Sequence, residues 1–289
     1  MVKKITRRQL LKLMGIAAGS LFAAMTGLKD LTDTLAETAD ANDVFLPLVP
    51  AGISPHATAQ PTLTPTTTPV VTLPPPGTFV DGPGGNVDTG KDVLISSSWH
   101  RRNGGQHADF QLEGLPGTIQ HALLWFDLSS LPKGLTCSSA KLYLYHSYIS
   151  EGGGANTGKV YCVSAANWPW IEGTGDIEIA QTGEPCWDAR EADGSGGVQT
   201  AWAGSAGCST EGVDYETSPL GSWSFDSGSA RGTAIVIDLD PVRVRRWFGS
   251  PNANYGIILI ADDDIHSAHV GSAEHAVAAY RPKLVVTYS

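Results

Sequence analysis

The 289-residue sequence predicts an all-β fold, an antiparallel β-sandwich of jelly-roll type with one short helix, and three observations predict it. The apolar runs after residue 78 are short, often alternate with polar residues, and are rich in β-branched and aromatic side chains. Clusters of Gly, Pro, Asn and Ser separate these runs, and the chain holds 33 Gly in all. Only 17% of the residues are charged, and a single segment carries helical start and stop signals.

Taken in order, residues 1–41 read as a twin-arginine export signal. Thr6-Arg7-Arg8-Gln9-Leu10-Leu11-Lys12 precedes a weakly apolar run from Leu13 to Leu28, and Ala39-Asp40-Ala41 offers a small-x-small cleavage site. Left uncleaved, Leu10 to Leu28 would act as a membrane anchor, because roughly 20 apolar residues suffice to span a bilayer. Residues 42–77 read as a disordered stalk. It opens on the apolar Val44-Phe45-Leu46-Pro47-Leu48-Val49-Pro50, either a docking strand or the stub of the exported chain. From Ala51 to Gly77 there are seven Pro, seven Thr and no Asp, Glu, Lys or Arg. Such a segment buries no core and stays extended as polyproline II, a semi-rigid spacer. The expected location is extracellular or at the cell surface.

The folded domain is expected over 78–289. Asp92 to Ser97, Ala122 to Leu128, Ala140 to Ile149, Lys159 to Ser164, Ser222 to Phe225, Thr233 to Leu239, Tyr255 to Ala261 and Lys283 to Tyr288 read as strands. Ala140-Lys141-Leu142-Tyr143-Leu144-Tyr145 alternates as a half-buried antiparallel strand does. Pro241 to Phe248 reads as the helix, with Pro in its first turn and Gly249 closing it. The charge balance, 19 basic against 29 acidic residues, lacks the electrostatic footprint that nucleic-acid binding requires.

Six ordered blocks of this domain resemble one known family. They are Leu123-Leu124-Trp125-Phe126-Asp127-Leu128-Ser129-Ser130-Leu131-Pro132; Ser139 to Tyr145; Asn167-Trp168 with Glu172-Gly173; Thr200-Ala201-Trp202 with Gly212-Val213-Asp214-Tyr215; Ile237-Asp238-Leu239 with Arg246-Trp247 and Asn254-Tyr255-Gly256; and Arg281 to Tyr288. Together they resemble the DNRLRE, or disaggregatase-related, domain over essentially all of 78–289. The chain departs from the family at Trp125, where a basic residue is usual, and at Asp240-Pro241, where a Thr is usual. The resemblance implies an extracellular β-sandwich classed among carbohydrate-binding modules, some members recognising anionic polysaccharides such as alginate. Asp127 and Asp238 themselves read as architecture, carboxylates that cap backbone N–H groups where a strand enters a turn.

Candidate binding residues lie between the blocks. Five of the eight Trp, at 168, 170, 187, 202 and 223, fall in a stretch otherwise rich in Gly, Ser and Asp. Sugars present flat C–H faces that stack on aromatic rings while neighbouring polar groups exchange hydrogen bonds with their hydroxyls. Trp168, Trp202 and Trp247 sit in the family blocks and read as buried packing residues. Trp170 and Trp187, beside Pro169, Glu172, Asp188 and Arg190, are the candidate platform. Arg101, Arg102 and Arg190 could pair with uronate carboxylates, for which the guanidinium fork is suited, or balance local acids.

Asn86-x-Asp88-x-Gly90-x-Asp92 places oxygen donors at alternate positions around a glycine, as a calcium loop does, and Asp262-Asp263-Asp264 is a second acidic run. A structural calcium is the one cofactor these patterns raise, and plain solvent exposure is the alternative. His266 and His269 are a poor zinc pair, because three-residue spacing on a strand points them to opposite faces. No H-E-x-x-H, G-x-S-x-G or phosphate-binding loop is present, so no enzyme is expected. The four Cys fit an oxidising compartment and allow three pairings. Cys186–Cys208, bracketing a Gly/Ser loop, and Cys137–Cys162 are favoured, with free buried thiols the alternative to the second. Two functions fit: a non-catalytic polysaccharide-binding module on a stalk, or a structural or adhesive cell-surface protein whose partner is another envelope protein. Neither the oligomeric state nor the glycan is legible.

Overall fold

The computed structural model describes residues 73–148, 154–265 and 268–289. The export signal, most of the stalk, the last residue of the strand expected to end at Ile149, and His266 lie outside the described residues. In chain order the strands are β1 (Gly77–Asp81), β2 (Lys91–Ser96), β3 (Arg102–Asn103), β4 (Asp109–Leu112), β5 (Gln120–Trp125), β6 (Cys137–Tyr145), β7 (Ala155–Cys162), β8 (Glu178–Ile179), β9 (Glu191–Ala192), β10 (Val198–Thr200), β11 (Gly221–Asp226), β12 (Ala234–Leu239), β13 (Ile257–Ala261), β14 (Ala268–Gly271) and β15 (Lys283–Tyr288). Each of the eight expected strands is present within a few residues of its expected bounds.

Two antiparallel sheets build the sandwich, one in the order β1-β15-β6-β12 and the other in the order β11-β7-β13-β5-β2. Alternation decides which residues meet between them. From the four-stranded sheet Ala140, Leu142, Leu144, Ile235, Ile237, Leu284 and Val286 point inward, and from the five-stranded sheet Leu94, Leu124, Val160, Ile257 and Leu259 meet them in one buried core. The short ladders β14-β4, β9-β10 and β3-β8 flank this sandwich.

The helical segment splits in two. The helix α1 spans Pro241–Val244 and tightens into a 3₁₀ turn over Arg245–Trp247. Asp240 is its N-cap, accepting from the Val242 amide at 2.9 Å, and Gly249, at φ 56°, ends the segment in a conformation that suits glycine. Of the two aspartates read as turn caps, Asp127 is one, accepting from the Ser129 amide at 2.9 Å. Asp238 is not. It points outward from β12 and pairs with Lys141 on β6, and the capping role falls to Asp240, two residues on.

The two sheets differ on their outer faces. In β6 and β12 the outward residues are Lys141, Tyr143, Tyr145, Val236 and Asp238, a face open to water. In the five-stranded sheet Val93, Ile95, Leu123, Tyr161, Val163 and Ile258 point outward and are buried as well. Strands buried on both faces lose their alternation, and Val93-Leu94-Ile95, Ala122-Leu123-Leu124 and Ile257-Ile258-Leu259 read as unbroken apolar runs for that reason. What covers the outer face is the long irregular segment 164–220, which contributes Trp170, Trp202, Cys208 and Tyr215 to this second core.

Candidate functional site

The covering segment has little regular structure, so carboxylates and histidines supply the order that ladders supply elsewhere. Asp214 is its main clamp: Oδ1 accepts from Asn167 Nδ2 and the Gly204 amide, both at 2.8 Å, and Oδ2 from the Ser205 and Thr210 amides. Burial raises this carboxyl's pKa, but the hydrogen bonds outweigh it and hold the group below the ordinary carboxylate value. Glu184 accepts from the Thr174 and Gln181 amides in the same way. Three histidines of the sandwich reach up to the segment. His100 Nδ1 lies 2.5 Å from Asp188, His107 Nδ1 lies 2.7 Å from Asp176, and His121 Nδ1 lies 2.8 Å from the Gly207 carbonyl oxygen. A carbonyl only accepts, so the His121 proton is on Nδ1. Full burial lowers the pKa of this imidazole to about 4, against the Gly207 bond that raises it.

At the end of the sheet where the cover stops, aromatic side chains emerge half-buried in a row. Trp125 continues the outward face of β5 beyond Leu123, and its Nε1 donates to the Asn254 carbonyl at 3.0 Å. Trp168, on the first turn of the cover, stacks on it with ring centroids 6.2 Å apart and an interplanar angle of 27°. Tyr255 follows, 6.4 Å from Trp168. Behind the row is Lys91, directly across the ladder from Trp125. Its Nζ donates to the Trp170 carbonyl at 2.6 Å and stands 5.5, 4.7 and 4.4 Å from the ring centroids of Trp125, Trp168 and Trp170. Burial lowers the ammonium's pKa to about 8, with the Glu172 carboxylate pulling the other way. Beyond Tyr255 the surface dips into a cleft of ≈ 200 Å³ lined by Glu216, Arg243 and Arg246 among others. Arg243 is ion-paired with Glu216 and donates to the Ser218 and Pro219 carbonyls, each at 2.9 Å, whereas Arg246 is largely exposed.

The residues singled out in the sequence are only partly brought together here. Trp170 is not a platform residue. It is fully buried beneath the row, its Nε1 donating to the Tyr255 carbonyl at 3.0 Å, because the outer face of the sheet requires an apolar plug at that point. Trp187 is half-buried and lies over Gly207, with its ring 5.4 Å from that of His121, away from the row. Arg190 supports the row from behind: Nη1 donates to the Ala166 and Trp168 carbonyls at 3.3 Å and Nη2 pairs with Glu191 at 2.8 Å. Arg101 and Arg102 are exposed and tie other loops, Nε of the first to the Gly196 carbonyl and Nη1 of the second to that of Ile177. Of the Trp residues read as packing, Trp202 and Trp247 are buried, but Trp168 belongs to the row. Lys91, Trp125 and Tyr255 were not singled out as ligand contacts. The signal available was parity: Trp125 shares the outward face of Leu123 at the end of a strand.

The expected disulfides are not formed. Cys137, Cys162, Cys186 and Cys208 are all free and buried. Cys186 packs among Ala180, Ala189 and Ala192, and Cys208 belongs to the second core under the cover, so the Gly/Ser loop between them is held by Asp214 rather than by a crosslink. Cys137 opens β6 in one sheet and Cys162 closes β7 in the other, and burial raises both thiol pKa values to about 11. The donors of the calcium-like stretch serve separate elements: Asn86 accepts from the Val80 amide, Asp88 is exposed, and Asp92 accepts from the Ala273 amide. Asp262 accepts from Thr157 Oγ1, while Asp263 and Asp264 are exposed. His269 packs on Tyr148 at 5.0 Å. Among the described residues, no three His, Cys, Asp or Glu side chains gather as a metal centre, and no helix is long and apolar enough to cross a membrane.

A row of half-exposed indole and phenol rings beside polar side chains is the arrangement on which pyranose C–H faces stack. Residues 86–175 match the model of carbohydrate-binding module family 96. No curated protein matches the chain. The matched stretch, from just before β2 to just past Trp170, contains Lys91, Trp125, Trp168 and Trp170, while Tyr255 lies beyond it. The match supports a domain of carbohydrate-binding-module type, and the all-β sandwich agrees with it.

Proposed function

We propose that the protein is a non-catalytic polysaccharide-binding module, exported by the twin-arginine route and displayed on its Pro/Thr-rich stalk, with the Trp125–Trp168–Tyr255 row as its contact face. The observation that carries this reading is the row itself: three aromatic rings in succession, each half-buried and packed against the edge of the second core. Stacking would supply most of the affinity, and Glu216 and Arg246 in the adjoining cleft would contact ring substituents. Arg246 is largely exposed and 4.0 Å from the Glu216 carboxylate, so with Arg243 on the same carboxylate the cleft holds two cations to one anion, which suits an acidic glycan.

The test is affinity electrophoresis of the full chain through gels containing neutral or uronic-acid polysaccharides, with and without EDTA. Retardation by one class, lost on Trp125→Ala or Trp168→Ala and retained on Trp187→Ala, is the expected result. Loss with EDTA would add a structural cation. A folded chain that migrates freely through every gel would overturn the proposal. It would favour the second reading, a surface protein that docks on another protein, for which the flat outer face of the four-stranded sheet, with Val236 48% exposed beside Tyr143, is the natural place.

A further inference from the structure

We propose that Lys91 is a positioning residue: its ammonium, clasped by three indoles, holds Trp125 and Trp168 in the arrangement that a ligand meets. This rests on the reading of the aromatic row as the binding face and extends it to a group behind that face.

The argument begins with the rings. Two indoles 6.2 Å apart at 27° are offset-stacked and attract one another modestly, but such a contact tolerates sliding and tilting. A cation shared by those rings adds an attraction that fixes both against one point, and more strongly when it is desolvated. Lys91 fills that place. Its Nζ is 4.7 Å from the Trp168 centroid and 5.5 Å from that of Trp125, with the buried Trp170 ring at 4.4 Å completing the clasp. The ammonium is anchored independently of the two half-exposed rings, because it donates to the Trp170 carbonyl at 2.6 Å, in a loop that the Trp170 indole itself ties to Tyr255. Lys91 and Trp125 are cross-strand partners, so the ladder sets the spacing of one ring and the cation. Trp168 enters from the covering segment, where Arg190 holds its main-chain carbonyl but no ladder sets its ring. Lys91 is therefore the link that registers the cover's ring on the sheet's ring.

The groups that bear on this charge are few. Glu172 faces it from the covering segment, and its Oε1 accepts from the Asp92 amide at 3.1 Å. Asp92, the next residue on β2, turns to the opposite face and accepts from the Ala273 amide. The Tyr255 phenol lies on the far side of Trp168. With burial dominant, the amine loses its proton near pH 8, and the row loosens as it does.

A purely space-filling lysine would be indifferent to charge, which makes the two roles separable. Tryptophan fluorescence of the full chain, followed from about pH 6 to pH 10 without any ligand, is expected to show a transition centred near pH 8. Lys91→Met keeps the length and the apolar stem. It should lack the transition and at pH 7 resemble the native protein at the alkaline end. Lys91→Arg should also lack it and remain in the low-pH form. A transition that persists in Lys91→Met, or a native protein with no transition, overturns the proposal, and the native titration alone suffices if the Met variant does not fold. In gels containing the neutral and uronic-acid polysaccharides, native affinity should fall roughly tenfold from pH 7 to pH 9.5, Lys91→Met should be weak at both and Lys91→Arg strong at both. A transition without retardation by any polysaccharide would sink the binding-face reading alone; retardation that ignores the Lys91 charge would sink the positioning role alone.

Discussion

Trp170 donates from Nε1 to the main-chain carbonyl of Tyr255 at 3.0 Å, so the buried indole fixes the loop that carries the half-buried phenol. Trp168, two residues earlier and across a cis Trp168–Pro169 peptide, faces outward as Tyr255 does. The aromatic row is thus supported by a fully buried ring.

Trp170→Phe should separate support from contact. Loss of the donor leaves the Tyr255 carbonyl without this bond, at a cost of about 1–3 kcal/mol, and frees the phenol's loop. Urea denaturation should report that destabilisation. Polysaccharide retardation should weaken as well, although less than on Trp168→Ala, which removes a contact ring.

Gly207→Ala should be among the more damaging single-methyl changes in the protein. Gly207 has φ 78°, a region that alanine resists, and a Cβ there would stand 2.4 Å from the Trp187 ring. A loss of about 2–4 kcal/mol is expected from strain and overpacking together. Thermal denaturation measures it, and Trp187→Ala in the same chain should relieve the steric part while leaving the conformational part.

His121 makes stability fall on acidification from about pH 6.5 downward. Its folded pKa, about 4, is below the ordinary 6.5, so between those values the unfolded chain binds a proton that the folded chain refuses. The stability it confers is whole above pH 6.5 and drains away toward pH 4. Urea midpoints at pH 7 and pH 5 should differ by about 2 kcal/mol more in the native protein than in His121→Gln. Equal pH dependence in the two would remove His121 from the account.

All four thiols should be silent in the folded protein and reactive once it is unfolded. They are free, buried and raised in pKa, so a thiol reagent at neutral pH should label none natively and four per chain in denaturant without reductant. Melting temperatures with and without reductant should coincide. Labelling of two or fewer in denaturant would show that a disulfide forms.

The sandwich core is legible in the chain because alternation states it. Leu142 and Leu144 on β6, and Ile235 and Ile237 on β12, had to share one face whatever else the chain did. Pro241 in the first turn and the Gly249 stop located the helical segment within a residue. The unbroken Val93-Leu94-Ile95 run held further information. A strand apolar on both faces needs a second cover, and the Trp-rich stretch after residue 164 was the part of the chain able to supply it. Reading those Trp as a surface platform took loop composition as a guide to exposure. The composition is polar because the segment organises itself with Asp214, Glu184 and Arg190, and it leaves Trp170 and Trp202 buried while Trp168 and Trp187 are half-buried.

By itself the sequence determined the fold class, the inward residues of the alternating strand β6 and the aromatic character of the candidate site, since side-chain parity and turn residues act over a few positions. Only the tertiary structure decided which rings are exposed and which thiols stay apart. Trp168, Trp170 and Trp187 have similar local surroundings, and what separates them is distance to the edge of a sheet whose strands come from the two ends of the domain. Lys91 reaches Trp168 across 76 intervening positions, as the ladder pairing of β2 with β5 and the burial of Trp170 require. Contacts of that range depend on the summed packing of both cores, which no window of the sequence contains.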